Sequence, residues 1–78
     1  MFNLFDPLRG IPVRKRALVN MKSGTSFEGV VWERRGGILL LRDARISSDL
    51  GNPVPKPVTL DGSVLLVIDA IDFIQVVD

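Results

Sequence analysis

The chain has neither histidine nor cysteine, so carboxylates, hydroxyls, lysines and arginines are what remain for chemistry. That removes the commonest general base, the commonest metal ligand and the thiolate nucleophile, and with them any serine–histidine or cysteine–histidine set. Asp69 and Asp72 are close enough in sequence to be imagined as paired carboxylates. With no second polar cluster beside them they read as solvated acids at a strand corner, and no nucleophile, base or metal set can be built around them. Asp61-Gly62 is a turn signal, since the alternating oxygen ligands of a calcium loop are missing. The expectation is a protein that is not an enzyme and uses no cofactor.

What is left is charge that can meet phosphate. Arg14, Lys15 and Arg16 form one basic cluster and Arg34 and Arg35 another. Gathered on one surface, they would attract nucleic acid or an acidic partner. Solvated strand ends or a self-association patch explain them more simply, because the net charge is only +1. The charge is uneven along the chain, +5 over residues 1 to 45 and −4 over residues 46 to 78, but a barrel would fold those halves together.

The elements that must position these residues read as a meander. At 78 residues the chain makes one domain with a thin core. Strands are expected from Val13 or Arg16 to Met21, Thr25 to Arg34, Ile38 to Ile46, Ser63 to Ile68 and Ile71 to Val77. Lys22-Ser23-Gly24, Arg35-Gly36-Gly37 and Asp61-Gly62 supply turns, and Asp69-Ala70 a corner. Gly29, inside the second strand, marks a bend or a close backbone approach. Ser47 to Pro57, with three prolines, reads as a loop, and Val58 to Leu60 as a brief pairing after it. The reading is all-β: a small five-stranded antiparallel barrel over residues 13–78, preceded by an arm over residues 1–12.

Contact is the expected role of the surplus apolar surface. Hydrophobic residues make up 46% of the chain and crowd into runs such as Ile38 to Leu41, more than a thin core readily hides. Burial against another copy is the economical explanation, and strands buried on both faces of a closed barrel the alternative. In the arm, Phe2, Leu4, Phe5 and Leu8 can share one side of a short helical turn capped by Asn3, which Pro7 limits to a turn or two. Val64, Leu66 and Phe73 are further candidates for protein contact, and Trp32 fits a contact and an ordinary core residue equally well. The first residues lack the order of a signal peptide, because the basic cluster follows the apolar residues. The C-terminal run VLLVIDAIDFIQVV is too short, and too broken by Asp69 and Asp72, to span a bilayer. No membrane partner is expected.

Residues Leu18 to Ala44, with an apolar strand, Gly24 in the turn, Phe27, Gly29 and then LLLRDA, resemble the first motif of the Sm-like family. Ile68-Asp69-Ala70-Ile71-Asp72-Phe73 is similar to its second motif, where the family carries Arg-Gly at the corner. The resemblance implies a strongly bent five-stranded barrel that closes into a homo-oligomeric ring by pairing the fourth strand of one subunit with the fifth of the next. It also implies RNA as a partner, read by an Asp…Asn pair in the first motif and the Arg-Gly of the second. Those positions fall on or near Arg34, on Ile38 and on Asp69-Ala70, and the turn between them is one residue short. Isoleucine cannot read a base edge and aspartate repels phosphate, so the usual uridine pocket is expected to be absent. The wording KSGTSFEGVVWERRGGILLLRDA, followed by a proline-containing loop and DFIQVV, also resembles small Sm-like proteins encoded by phages of actinobacteria. That implies a virion or virion-assembly component with other virion proteins as partners, found in the host cytoplasm or in the particle. The other reading is an RNA-binding regulator that uses Arg14, Lys15, Arg16, Arg34 and Arg35.

Overall fold

Alternation of small or branched apolar residues with polar ones sets the first strand, β1 (Lys15–Met21), where Ala17 and Val19 are fully buried and Arg16, Leu18 and Asn20 take the other face. The computed structural model describes residues 13–60 and 62–77, the side chain of Pro57 excepted, so the expected arm and its Phe2, Leu4, Phe5 and Leu8 lie outside the described residues. β1 is followed by β2 (Ser26–Arg35), β3 (Ile38–Asp49), β4 (Asn52–Thr59), β5 (Ser63–Val67), a single 3-10 turn (Ile68–Ala70) and β6 (Ile71–Val76). Every pairing is antiparallel, in the order β4-β3-β2-β1-β6, with β5 also paired to β3. No helix among the described residues is long and apolar enough to cross a membrane.

The long β3 organises the sheet. It lies along β2 throughout, while its other edge is shared: Ile38 to Arg42 meet β5, and Arg45 to Asp49 meet β4. Between those halves Asp43 takes a positive φ of 51°, and the β2–β3 register shifts opposite it, between Glu28 and Val30. Gly29 makes the bend possible. A Cβ there would stand 2.8 Å from the Arg42 carbonyl oxygen and 2.8 Å from Leu41 Cγ, so only glycine lets the two strands approach so closely. The bend wraps the sheet around Ala17, Val19, Val31, Leu39, Leu41, Ala44, Leu66 and Ile71, against which Phe27, Leu60 and Ile74 pack in part.

The 3-10 turn carries the chain from one margin of the sheet to the other. The Ile68 amide donates to the Gly37 carbonyl in the β2–β3 turn at 2.9 Å, and the Lys22 amide in the β1–β2 turn donates to the Ala70 carbonyl at 2.8 Å. β5 therefore ends beside β3, and β6 begins beside β1. The expected two-residue corner at Asp69-Ala70 is this three-residue turn.

The strand count corrects the expectation of five strands. Ser47 to Asp49 continue β3, and Asn52–Thr59, expected to be mostly loop, forms β4. Leu50 and Gly51 both take positive φ, 52° and 81°, as a tight hairpin turn requires, and the Gly51 amide donates to the Gly24 carbonyl of the β1–β2 turn at 2.7 Å. Prolines argue against a central strand because they cannot donate to the ladder. β4 is an edge strand, where a missing donor on the outer side costs nothing.

Candidate functional site

The face of the sheet opposite the core carries the concentrated charge. Arg16, Val30 and Arg42 fall in one cross-strand row, and Leu18, Glu28 and Arg45 in the next. Arg42 and Arg45 are three residues apart and would point to opposite faces of a regular strand. The positive-φ residue Asp43 resets the alternation, so Ala44 enters the core and both arginines face out. Glu28 accepts a hydrogen bond from Arg16 Nη1 at 3.3 Å and lies 3.9 Å from Arg45 Nε, holding the two guanidinium groups side by side.

Trp32 sits at a second irregularity, where the β2–β3 register shifts between Val31 and Glu33. It is half-buried. The guanidinium carbon of Arg14 lies 3.8 Å from the ring centroid and that of Arg42 4.3 Å, two cation–π contacts on one indole. Arg14 is fixed further by its Nε, which donates to the Trp32 carbonyl at 3.3 Å, and by its amide, which donates to the Val31 carbonyl. Beside this pair opens a cleft of about 450 Å³, lined by Arg16, Arg42 and Arg45, by Thr59 and Ser63, and by the single acid Asp43 among the described residues.

The two basic clusters of the sequence are thus divided and regrouped. Arg14 and Arg16 join Arg42 and Arg45, two residues that sequence reasoning missed. Lys15 is exposed and shares the strand parity of Ala17 and Val19, not that of Arg16. Arg34 and Arg35 lie farther along β2 toward its turn, where Arg35 pairs with Glu33 at 3.0 Å. The signal that would have found Arg42 and Arg45 is their spacing. Charges three apart within an apolar strand demand a bulge between them, or else one of them is buried.

A second feature is the pair of sheet margins. Among the described residues, β5 is paired on one side only, with β3, and β6 on one side only, with β1. Large apolar side chains stand out from both: Leu65 is 68% exposed and Val67 52%, and Phe73 is 53% exposed on β6. Leu65 lies across from Leu40 and Val67 across from Ile38, so the apolar surface is continuous over β3 and β5, with a shallow pocket of about 280 Å³ beside Glu33 and Arg35. This corrects the contact expectation on β5. Leu66 is buried in the chain's own core opposite Leu39, and Val64 packs against that core, so the outward residues are their neighbours Leu65 and Val67. A run of four apolar residues gives no parity, and a one-residue slip exchanges the faces.

Where the Sm-like resemblance would put a base pocket, the hydrogen bond from Ile68 to Gly37 does bring the β2–β3 turn and the corner together. The side chains at that place are Arg34, Ile38, Asp69 and Ala70; the acceptor pair and the Arg-Gly of the resemblance are missing, and Arg34 is the one side chain of the four that donates hydrogen bonds.

No family model matches the chain, and no curated protein matches it in sequence. Among solved structures it is similar to a heptameric archaeal Sm protein, with a TM-score of 0.68 over 85% of this chain and 90% of that one, at 21% identity. The fold is the Sm fold. The likeness agrees with the resemblance in Leu18 to Ala44, although the base-reading residues of that resemblance are replaced. In this Sm fold the bend at Gly29, the corner at Ile68–Ala70 and the two open margins are the features that position everything else.

Proposed function

We propose that the chain is a non-enzymatic assembly module that forms a closed homo-oligomer, β5 of one copy pairing with β6 of the next. The observation that carries this reading is the coincidence of unpaired backbone edges and protruding apolar side chains on the same two strands. Open edges are templates for further pairing, and natural sheets blunt the ones they do not use. β4 is blunted by Pro53 and Pro55, whereas β5 and β6 carry no proline. The archaeal Sm protein of the same fold is heptameric, which supports a ring as the form of closure. Light scattering at low and high salt tests this. A multimer that survives high salt and becomes a monomer when Leu65 and Val67 are both changed to lysine is the expected result, because apolar burial and backbone pairing are not screened. A wild-type monomer at high concentration, or a double variant that still assembles, refutes the reading.

The finer reading, in which the assembly is a virion component in contact with other virion proteins, is supported by the sequence resemblance alone. Copurification of the chain with intact particles tests it, and its absence from them sinks it. The competing reading, an RNA-binding ring, is favoured by one specific observation, the four arginines 14, 16, 42 and 45 on one face. It predicts single-stranded RNA binding that weakens steeply with salt. No RNA retained at low salt eliminates it.

A further inference from the structure

We propose that the cleft between Arg16, Arg42 and Arg45 is a binding site for phosphate groups. Its three guanidinium groups come from different strands or from opposite sides of the Asp43 bulge, and the fold brings them to one opening of about 450 Å³, within the range of small-ligand sites. Each is held before any ligand arrives: Arg42 over Trp32, and Arg16 and Arg45 beside Glu28. A guanidinium carries five N–H donors, and the long contacts to Glu28 occupy few of them. The rest remain for the cleft. Thr59 and Ser63 add hydroxyls at its wall, and Gly62, at a φ of 84°, presents backbone without a side chain.

Phosphate fits this set better than carboxylate does. A phosphate group offers three terminal oxygens to three forks, while a carboxylate offers two oxygens in one plane. Four arginines against Glu28 and Asp43 leave the cluster at a formal +2, the complement of a dianion. Trp32 is already covered by Arg14 and Arg42, so among the described residues the site offers no free ring for stacking a base. Recognition is therefore of phosphate itself: a free pyrophosphate-type anion offers three oxygens at one phosphorus, and a nucleic-acid backbone, whose phosphodiesters each carry one charge and two non-bridging oxygens, would match the +2 with two successive phosphates and without base preference. The inference does not depend on assembly, since every residue in it belongs to one chain.

Trp32 is the only tryptophan and touches Arg42, so its fluorescence reports on the cleft. The full chain is titrated at constant ionic strength with inorganic pyrophosphate and, separately, with oligouridylate and oligoadenylate; calorimetry gives a second readout. Wild type is expected to saturate, Arg45→Gln to bind about tenfold more weakly or worse, and Lys56→Gln to match wild type. Circular dichroism and the unfolding midpoint confirm that Arg45→Gln is folded, and Arg42→Gln read by calorimetry provides a second loss of charge. Saturation by pyrophosphate assigns a free anion. Saturation by the oligonucleotides alone, equal for both bases, assigns the backbone. No saturable response to any probe, or an affinity unchanged in both arginine variants, overturns the proposal.

Discussion

Replacing Gly29 by alanine tests the bend on which both the core and the arginine face depend. The added Cβ would meet the Arg42 carbonyl oxygen and Leu41 Cγ at 2.8 Å and Ala44 Cα at 3.2 Å, so it needs about 0.6 Å more room to reach ordinary contact. None of those neighbours yields easily. Leu41 is fully buried, and the other two atoms are backbone of β3 where it turns at Asp43. Overpacking of this kind costs about 1–3 kcal/mol. A chain of this size has a total stability on the order of 4–12 kcal/mol, so the loss is a large fraction of it. Urea unfolding followed by Trp32 fluorescence reads it directly. With an m value of about 1 kcal/mol/M, a loss of about 2 kcal/mol lowers the midpoint by roughly 2 M. Gly37→Ala is the control, because no atom of the described residues stands within 4 Å of a Cβ at that position. Both variants must be measured at one protein concentration, since assembly would add a concentration-dependent term. A midpoint for Gly29→Ala equal to that of Gly37→Ala would show that β2 and β3 do not cross as described.

Two further outcomes follow from the same geometry. Gly24→Ala combines a φ of 99° with a Cβ placed 2.8 Å from Leu50 Cα, and should destabilise the chain by about 1–3 kcal/mol in the same urea assay; no change would mean that the β1–β2 turn does not rest on the β3–β4 turn. Glu28→Gln removes the carboxylate that shares Arg16 and Arg45, and pyrophosphate should then bind several-fold more tightly by calorimetry. Weaker binding would mean that Glu28 matters more as an anchor for the two arginines than as a competitor for them.

Much of the fold is legible in the sequence because its main signals are local. Gly24 and the Gly36-Gly37 pair mark turns and Gly29 marks the bend, whereas the apolar run Ala17-Leu18-Val19 leaves open which face of β1 is buried. The failures are as physical. Apolar runs without polar punctuation, here Ile38 to Leu41 and Val64 to Val67, carry no parity, so Val64 and Leu66 look as able to face outward as Leu65 and Val67 do. The prolines of β4 forbid a central strand, and the sequence does not say which strand will be an edge. The arginine face is hidden for a third reason. Arg42 and Arg45 share it only because Asp43 adopts a backbone conformation that aspartate visits infrequently, and nothing in LRDAR announces that choice. Arg34 and Arg35, adjacent and conspicuous, draw attention that the topology sends elsewhere.

The 3-10 turn at Ile68–Ala70 is pinned at both ends, to Gly37 and to Lys22, and it alone joins the two strands with open edges. In the proposed ring it therefore acts as a fixed angle between one joining edge and the other. When identical units join edge to edge, the rotation from each copy to the next is repeated until it closes the circle or misses it. The number of copies would then depend on a three-residue link within each chain as well as on the twist between the strands that meet. Lengthening or shortening that link by one residue would change the count while leaving β5 and β6 themselves as they are.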